Sequence, residues 1–311
     1  MNIGLCGTSN VAKVYIKCFR KLGKPIQLVY GTDLERLKNF AKINKIPNYT
    51  NNVNDLKKEK NINSYIIANE PNKHLDIAHI LFNINKNLLI EKPIDVSLRK
   101  IDHFYKLTKN KKNIIHIVNQ NRFDISLINL KKKIQNLISH NGTKFGNLNL
   151  FYKKDRSYFF SGNNWKVNYS SPLINQGIHF LDILIWIFGD FLEVKSIIQK
   201  DNKELKMHDN IAGVIRFQND VLINIFASTS IKKSEIKFEF YSNKNQIKYK
   251  QNDLSKKLNK IFFYKKNQFD LFYDQCKLFL HSIERNDKSN NNILDAYKAV
   301  KLAKKLSKLN D

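Results

Sequence analysis

Four short stretches of this chain combine residue types that do chemistry. Gly7-Thr8-Ser9-Asn10-Val11-Ala12 follows an apolar run and opens an amphipathic one. It reads G-x-S-x-x-A where a dinucleotide fingerprint reads G-x-G-x-x-G/A: Gly7 permits the tight turn and Ala12 lets helix and strand pack closely. Ser9 stands where backbone approaches a pyrophosphate, and the N–H groups of the helix start would still face that phosphate. Tyr30-Gly31-Thr32-Asp33 ends the next strand, where an acid on the ribose hydroxyl selects NAD and an arginine accommodates NADP. Gly31 holds the usual acidic position, Asp33 lies a little beyond it, and Arg36 is one helical turn on, so NAD is favoured and NADP is not excluded.

Glu91-Lys92-Pro93 ends another strand, and a lysine there is placed to meet a ligand lying over the sheet's carboxyl ends. Glu91 can hold its orientation, and Pro93 fixes the chain as it turns. The fourth stretch is Asn175-Gln176-Gly177-Ile178-His179-Phe180-Leu181-Asp182, with Asn175, His179 and Asp182 at i, i+4 and i+7 of an apolar helix. Polar groups on such a stripe are either satisfied or used. One histidine with one asparagine is too poor a set to hold a metal. The histidine reads equally as a satisfied core residue and as a proton carrier.

The elements carrying these stretches alternate. Asn2–Cys6, Ile26–Tyr30, Ser64–Ala68, Asn87–Ile90 and Ile114–Val118 read as strands, with helical patterns at Asn10–Leu22, Leu34–Ile43, His74–Asn83 and Leu98–Thr108 between them. That alternation makes βαβ units: a doubly wound parallel, Rossmann-type sheet over residues 1–121. Residues 122–311 change rhythm: a helix at Ile125–Ile138, a strand at Leu148–Tyr152, a polar loop, an apolar helix from Leu173 to Phe188, then five strand-like runs and two closing helices. Asn219-Asp220 signals a hairpin. The expectation is an α/β chain whose second part is an α+β domain with a largely antiparallel open sheet.

Composition narrows the partners. The 311 residues carry 54 Lys+Arg against 27 Asp+Glu, a net charge of +27. The lysines are scattered, and runs such as Lys57–Lys60, Lys109–Lys112 and Lys131–Lys133 fall on expected surface segments, which argues for solvated faces and against a nucleic-acid partner. The field would still favour anionic substrates. Cys6, Cys18 and Cys276 form neither a C-x-x-C pair nor a disulfide framework. A strand begins at once after Met1, and the apolar stretch Phe180–Leu192 is broken by Asp182, Gly189 and Asp190. Both features imply a cytoplasmic protein with no membrane segment.

Taken in order, the landmarks Gly7–Ala12, Pro71-x-x-His74, Glu91-Lys92-Pro93, Gln120-Asn121-Arg122-Phe123 and Gly177-x-His179-x-x-Asp182 resemble the Gfo/Idh/MocA family of NAD(P)-dependent oxidoreductases over nearly the whole chain. The stretch from Arg156-Ser157-Tyr158 through Trp165 to His179 resembles most its nucleotide-sugar branch, of the UDP-N-acetylglucosaminuronate 3-dehydrogenase kind that serves surface-polysaccharide pathways. The resemblance implies a hydride passing between nicotinamide C4 and a sugar ring carbon, with Lys92 and His179 as the proton-transfer pair. It implies that Gly7, Thr8, Ser9, Asn10, Val11, Thr32, Asp33, Asn69, Pro71, His74, Glu91 and Lys92 hold the cofactor. Asn175, Arg122, Asp182, Trp165 and Tyr152 would meet the sugar, with Arg122 suited to a diphosphate. Many relatives carry Asp where this chain has Asn175, which can orient substrate but cannot be a base. Ser170-Ser171-Pro172 stands where glycines usually precede the helix. A homodimer or homotetramer is expected, since an open antiparallel sheet face can pair. The competing reading is a non-catalytic NAD(P)-binding sensor or regulator on the same scaffold; keeping both Lys92 and His179 argues against it.

Overall fold

Ile3–Cys6 forms a strand buried at all four positions in the computed structural model, as a strand covered by helices on both faces must be. Residues 1–109, 112–139, 142–160, 165–169, 171–243, 245–251 and 267–310 are described. Asn110 and Lys111, from the basic run at Lys109–Lys112, and Ser170, from the turn noted above, lie outside them.

From that strand, β1, the chain runs through α1 (Asn10–Lys21), β2 (Ile26–Tyr30), α2 (Leu34–Ile43), β3 (Asn48–Thr50), α3 (Val53–Lys58), β4 (Ser64–Ile67), α4 (His74–Asn83), β5 (Asn87–Ile90), α5 (Leu98–Thr108) and β6 (Ile115–Ile117). The six strands are parallel in the order β3-β2-β1-β4-β5-β6. The winding reverses between β1 and β4, so the cleft for a ligand opens over their carboxyl ends. The expected parallel sheet is present. It gains an edge strand, β3, whose three residues give the sequence no apolar alternation.

The following elements are α6 (Ile125–Ile138), β7 (Lys144–Phe151), α7 (Arg156–Phe160), α8 (Trp165–Tyr169), a wide turn Pro172–Gly177, α9 (Ile178–Phe188), β8 (Phe191–Gln199), β9 (Asn210–Phe217), β10 (Leu222–Ser228), β11 (Glu235–Ser242) and β12 (Asn245–Gln251). Their sheet has the order β12-β11-β7-β10-β9-β8; every pair is antiparallel except β7 with β10. Asn219 and Asp220 both take positive φ in the β9–β10 turn, the hairpin their types announce. α9 is apolar nearly all round and correspondingly buried, with Phe188 against Phe217 and Phe240 at 5.5 Å each. The described part of the stretch expected as a polar loop contains α7 and α8. No described helix is long and apolar enough to cross a membrane.

The last helices are α10 (Gln268–Arg285) and α11 (Ile293–Leu306). Two compact units result: Met1–Phe123 with α10 and the chain on to Tyr297, and Asp124 through β12 with the chain from Lys298 onward. A single border at 121/122 would leave α10 with the second unit. Its apolar stripe of Phe272, Cys276, Phe279 and Leu280 instead completes the core beneath α1, sharing it with Tyr15, Ile16 and Phe19. Burial of that stripe decides where the helix belongs.

Candidate active site

The first turn is built around Gly7. Its φ of +116° suits glycine, and a Cβ there would lie 2.5 Å from Ala68 O at the end of β4. Ser9, by contrast, has φ −74° and ψ 173°, a conformation open to any residue. Its hydroxyl does two things: it caps α1 by accepting Ala12 N–H at 3.4 Å, and it donates to Ala68 O at 3.1 Å. Ser9 therefore reinforces the turn. The first N–H groups of α1, at Asn10 and Val11, have no acceptor within the helix and point out of its positive end.

At the end of β2, Asp33 caps α2 by accepting Arg36 N–H at 3.0 Å, while the Arg36 guanidinium donates to Thr8 O at 3.2 Å. Asp33 and Thr32 are exposed there. After β4 comes Asn69, and after β5 comes Glu91-Lys92-Pro93, whose Lys92–Pro93 peptide is cis. His74 joins these two loops, with Nδ1 2.9 Å from Pro93 O and Nε2 3.1 Å from Asn69 O. Two carbonyls ask for a doubly protonated ring, whereas burial asks for a neutral one. Burial dominates and holds the pKa at about 4. At 1 % exposure His74 has no surface for a cofactor. It bridges the Asn69 and Pro93 loops instead, and Pro71 beside it in sequence is buried too.

Glu91 is likewise buried, and both its oxygens are used. Oε1 accepts the Tyr15 hydroxyl at 2.6 Å and Oε2 accepts the Lys92 backbone N–H at 2.9 Å. Burial raises the Glu91 pKa, and the Lys92 charge and these two donors oppose that rise. Burial also lowers the pKa of Lys92, which is half-buried by surface area, and the Glu91 charge opposes the fall. Burial thus moves both groups away from their ordinary values, towards the range where proton transfer is done, while their opposite charges hold each other ionised. Tyr15 was invisible to motif reading: nothing at its position in α1 announces a contact with a strand end 76 residues later.

In the second unit, Pro172–Gly177 is wound with i→i+5 bonds before α9 begins at Ile178. An i, i+4, i+7 stripe assumes α geometry throughout. The wider turn rotates Asn175 relative to His179 and Asp182, and such bulges are frequent at functional sites. Asn175 and His179 are half-buried and Asp182 is buried. Tyr152 and Trp165 are half-buried as well. Asn175 and Gln176 both donate side-chain N–H to the Tyr158 hydroxyl, the latter at 2.5 Å. Arg122 belongs to the first unit and is paired with Asp295 at 2.9 Å, so its guanidinium is not reserved for a diphosphate.

The sequence profile of an oxidoreductase family with an NAD-binding Rossmann fold matches residues 1–119, and that of the same family's C-terminal α/β domain matches residues 144–290. The chain belongs to the Gfo/Idh/MocA oxidoreductases. It is similar to oxidoreductase P35 of Formosa agariphila, at 22 % identity over 71 % of this chain and 70 % of that one. Among solved structures it superposes on the WlbA dehydrogenase of Bordetella pertussis in complex with NADH and UDP-GlcNAcA, with TM-score 0.84, 16 % identity, and 99 % and 95 % of the two chains covered. It also superposes on the scyllo-inositol dehydrogenase of Lactobacillus casei with bound NAD(H) and scyllo-inositol, with TM-score 0.82, 15 % identity, and 99 % and 96 % covered. At these identities the likeness is one of fold. As a Gfo/Idh/MocA protein the chain has an NAD-binding domain, and its residues fit that cofactor. The Gly7 turn leaves no room for a side chain, the α1 amides can take the pyrophosphate, and Asp33 can take a ribose hydroxyl.

Proposed function

We propose that the chain is an NAD-dependent dehydrogenase interconverting a CH–OH and a C=O on the ring of a sugar or nucleotide-sugar, in the making of surface-polysaccharide sugars. The observation that carries this reading is Lys92, half-buried at the carboxyl end of β5 beside a carboxylate held from both sides. The sugar class is supported by the ligands of the WlbA and inositol dehydrogenases and by the Arg156–His179 stretch.

Bound NAD supplies the two-electron acceptor or donor. Lys92 hydrogen-bonds the reacting oxygen and takes its proton on oxidation, returning it on reduction. His179 is the second proton carrier, a role suited to imidazole near neutral pH. The Asn175 amide orients the ring and carries no proton. Tyr15, Glu91 and His74 act through Lys92 and are positioning residues.

We further propose that the protein works as a homodimer or homotetramer through the open face of the second sheet. Ile197, Val214, Leu222 and Phe226 are 77, 42, 44 and 48 % exposed on neighbouring strands there. The buried thiols of Cys6, Cys18 and Cys276 fit a cytoplasmic, reducing location.

A parallel fluorescence titration with NADH and NADPH, followed by a screen of UDP-sugars and cyclic polyols, tests the reading. Saturable NADH binding retained in Lys92→Ala, with turnover lost, is the expected result. A Lys92→Ala enzyme that turns over like wild type overturns the assignment.

A further inference from the structure

One residue of the first turn, Thr8, touches two features of the adenosine corner at once. Its side chain closes on Gly31, at the end of β2: a Cβ on that glycine would lie 3.5 Å from Thr8 Cγ2 and 3.3 Å from Leu37 Cδ1. Its carbonyl receives the Arg36 guanidinium, Nη2 donating at 3.2 Å. The corner where an acid would hold both ribose hydroxyls therefore has no side chain at 31, and a guanidinium stands against the same turn.

Arg36 is exposed and three residues into α2. A guanidinium has five N–H donors in a flat fork, and the Thr8 carbonyl engages one nitrogen of it. Among the described residues no carboxylate pairs with this group. The neighbouring acids are Asp33 and Glu35. Asp33 has Oδ1 on the α2 cap, accepting Arg36 N–H at 3.0 Å, which leaves Oδ2 for a hydroxyl. Glu35 adjoins Arg36 in sequence, and successive side chains on a helix do not face each other.

We propose that Arg36 reads the 2′ position of the adenosine ribose and takes the phosphate of NADP(H), while Asp33 takes the free hydroxyl of NAD(H), so that one corner holds both dinucleotides. This assignment rests on the dehydrogenase reading and widens its cofactor. Arginine suits the task, since its planar fork meets phosphate oxygens two at a time. The α1 amides that face the pyrophosphate belong to the same turn as Thr8, so the ribose next to that pyrophosphate lies within the reach of α2. The net charge of +27 also favours the dinucleotide that carries more negative charge.

The test is calorimetric titration of the full chain with NADH and with NADPH, read as the ratio of the two affinities. Wild type is expected to bind the two within about tenfold of each other. Arg36→Met keeps the stem and removes the fork, and should lower the NADPH-to-NADH preference about tenfold, with Arg36→Lys lowering it less. Gly31→Asp supplies the missing acid and should lower the preference as well. Lys38→Met removes an exposed charge two positions along the same helix and should leave the ratio within about twofold, which separates a local contact from the general field. A wild type that binds NADPH more than about tenfold more weakly than NADH overturns the assignment. So does an Arg36→Met protein whose ratio moves by less than about threefold, since a loss shared by both dinucleotides means that Arg36 only braces the first turn. A Lys38→Met ratio that falls as far as that of Arg36→Met overturns it too. Binding of neither dinucleotide overturns the dehydrogenase reading itself, whereas NADH binding with an unmoved ratio counts against Arg36 alone.

Discussion

The Tyr15 hydroxyl donates to Glu91 Oε1 at 2.6 Å, with Tyr15 0 % and Glu91 5 % exposed. The contact ties the cofactor-facing helix α1 to the residue that holds Lys92. Tyr15→Phe leaves that carboxylate oxygen buried with one donor fewer, at a cost of about 1–3 kcal/mol in stability. It also lets the Glu91 pKa rise, so Glu91 supports the Lys92 charge less and the Lys92 pKa falls further. The limb of the kcat/KM pH profile that reports Lys92 should move to lower pH in Tyr15→Phe, and further in Glu91→Gln, while NADH affinity stays close to wild type. A profile that keeps its shape while only thermal stability drops would reduce Tyr15 to a packing residue.

The two small residues of the first turn should differ in what their replacement does to NADH binding. Gly7→Ala forces a side chain into positive φ and against Ala68 O, which costs on the order of 1–3 kcal/mol and removes NADH binding. Ser9→Gly loses the cap on α1 and the bond to Ala68, a smaller stability loss, with NADH binding retained. Thermal melts with and without NADH separate the two. A Ser9→Gly enzyme that binds NADH much more tightly would mean the serine obstructs the phosphate.

Acid should destabilise the first unit through its buried histidines. His74 and His116 are held at a pKa of about 4 by burial, against an ordinary value of 6.5. Between those values the unfolded chain binds protons that the folded chain refuses. Their contribution is therefore complete above about pH 6.5 and is lost as the pH falls towards 4. Neither ring nitrogen of His116 has a hydrogen-bond partner among the described residues, and its ring lies edge-on to Phe279 at 5.4 Å. His116→Leu should raise stability by about 1 kcal/mol at neutral pH and by more near pH 5. Urea midpoints at the two pH values measure this, and parallel losses in both proteins would count against it.

The open sheet face gives a prediction for assembly. Phe226 lies opposite Ala212, which in turn lies opposite Ile197, so one charge at Phe226 spoils a continuous apolar row. Phe226→Glu should yield monomers by sedimentation velocity while NADH binding persists. An unchanged sedimentation coefficient removes this face from the assembly.

Strands and helices of the first sheet were legible because parallel strands buried on both faces leave uninterrupted apolar runs, as Leu88–Ile90 does. The exposed edge strand β3 leaves no such run. Backbone pairing that carries no side-chain signature was equally silent: the parallel match of β7 with β10 inside an otherwise antiparallel sheet is an example. Gly7, Glu91 and Lys92 stood out as candidates because the sequence sets them directly after apolar strand runs, where a doubly wound sheet presents its ligand-facing ends. The strut Tyr15 could not be found in this way, since it looks in sequence like an ordinary helix residue and gains its meaning only from a partner far along the chain; His74 stood out through Pro71-x-x-His74, but as a residue on the cofactor and not as a bridge between two loops. The wide turn at Pro172–Gly177 escaped for another reason: α and π winding favour the same apolar residues and differ only in the register of their bonds.

The return of α10 to the first unit bears on how such a protein can be remodelled by genetic exchange. A crossover near residue 121 would hand the nucleotide unit a foreign helix in place of Phe272 and Phe279, opening its core under Tyr15 and Phe19. Substrate units can therefore be traded between relatives only as internal cassettes, with both borders inherited together, and a lineage that breaks this rule must repack α1 before it can diversify.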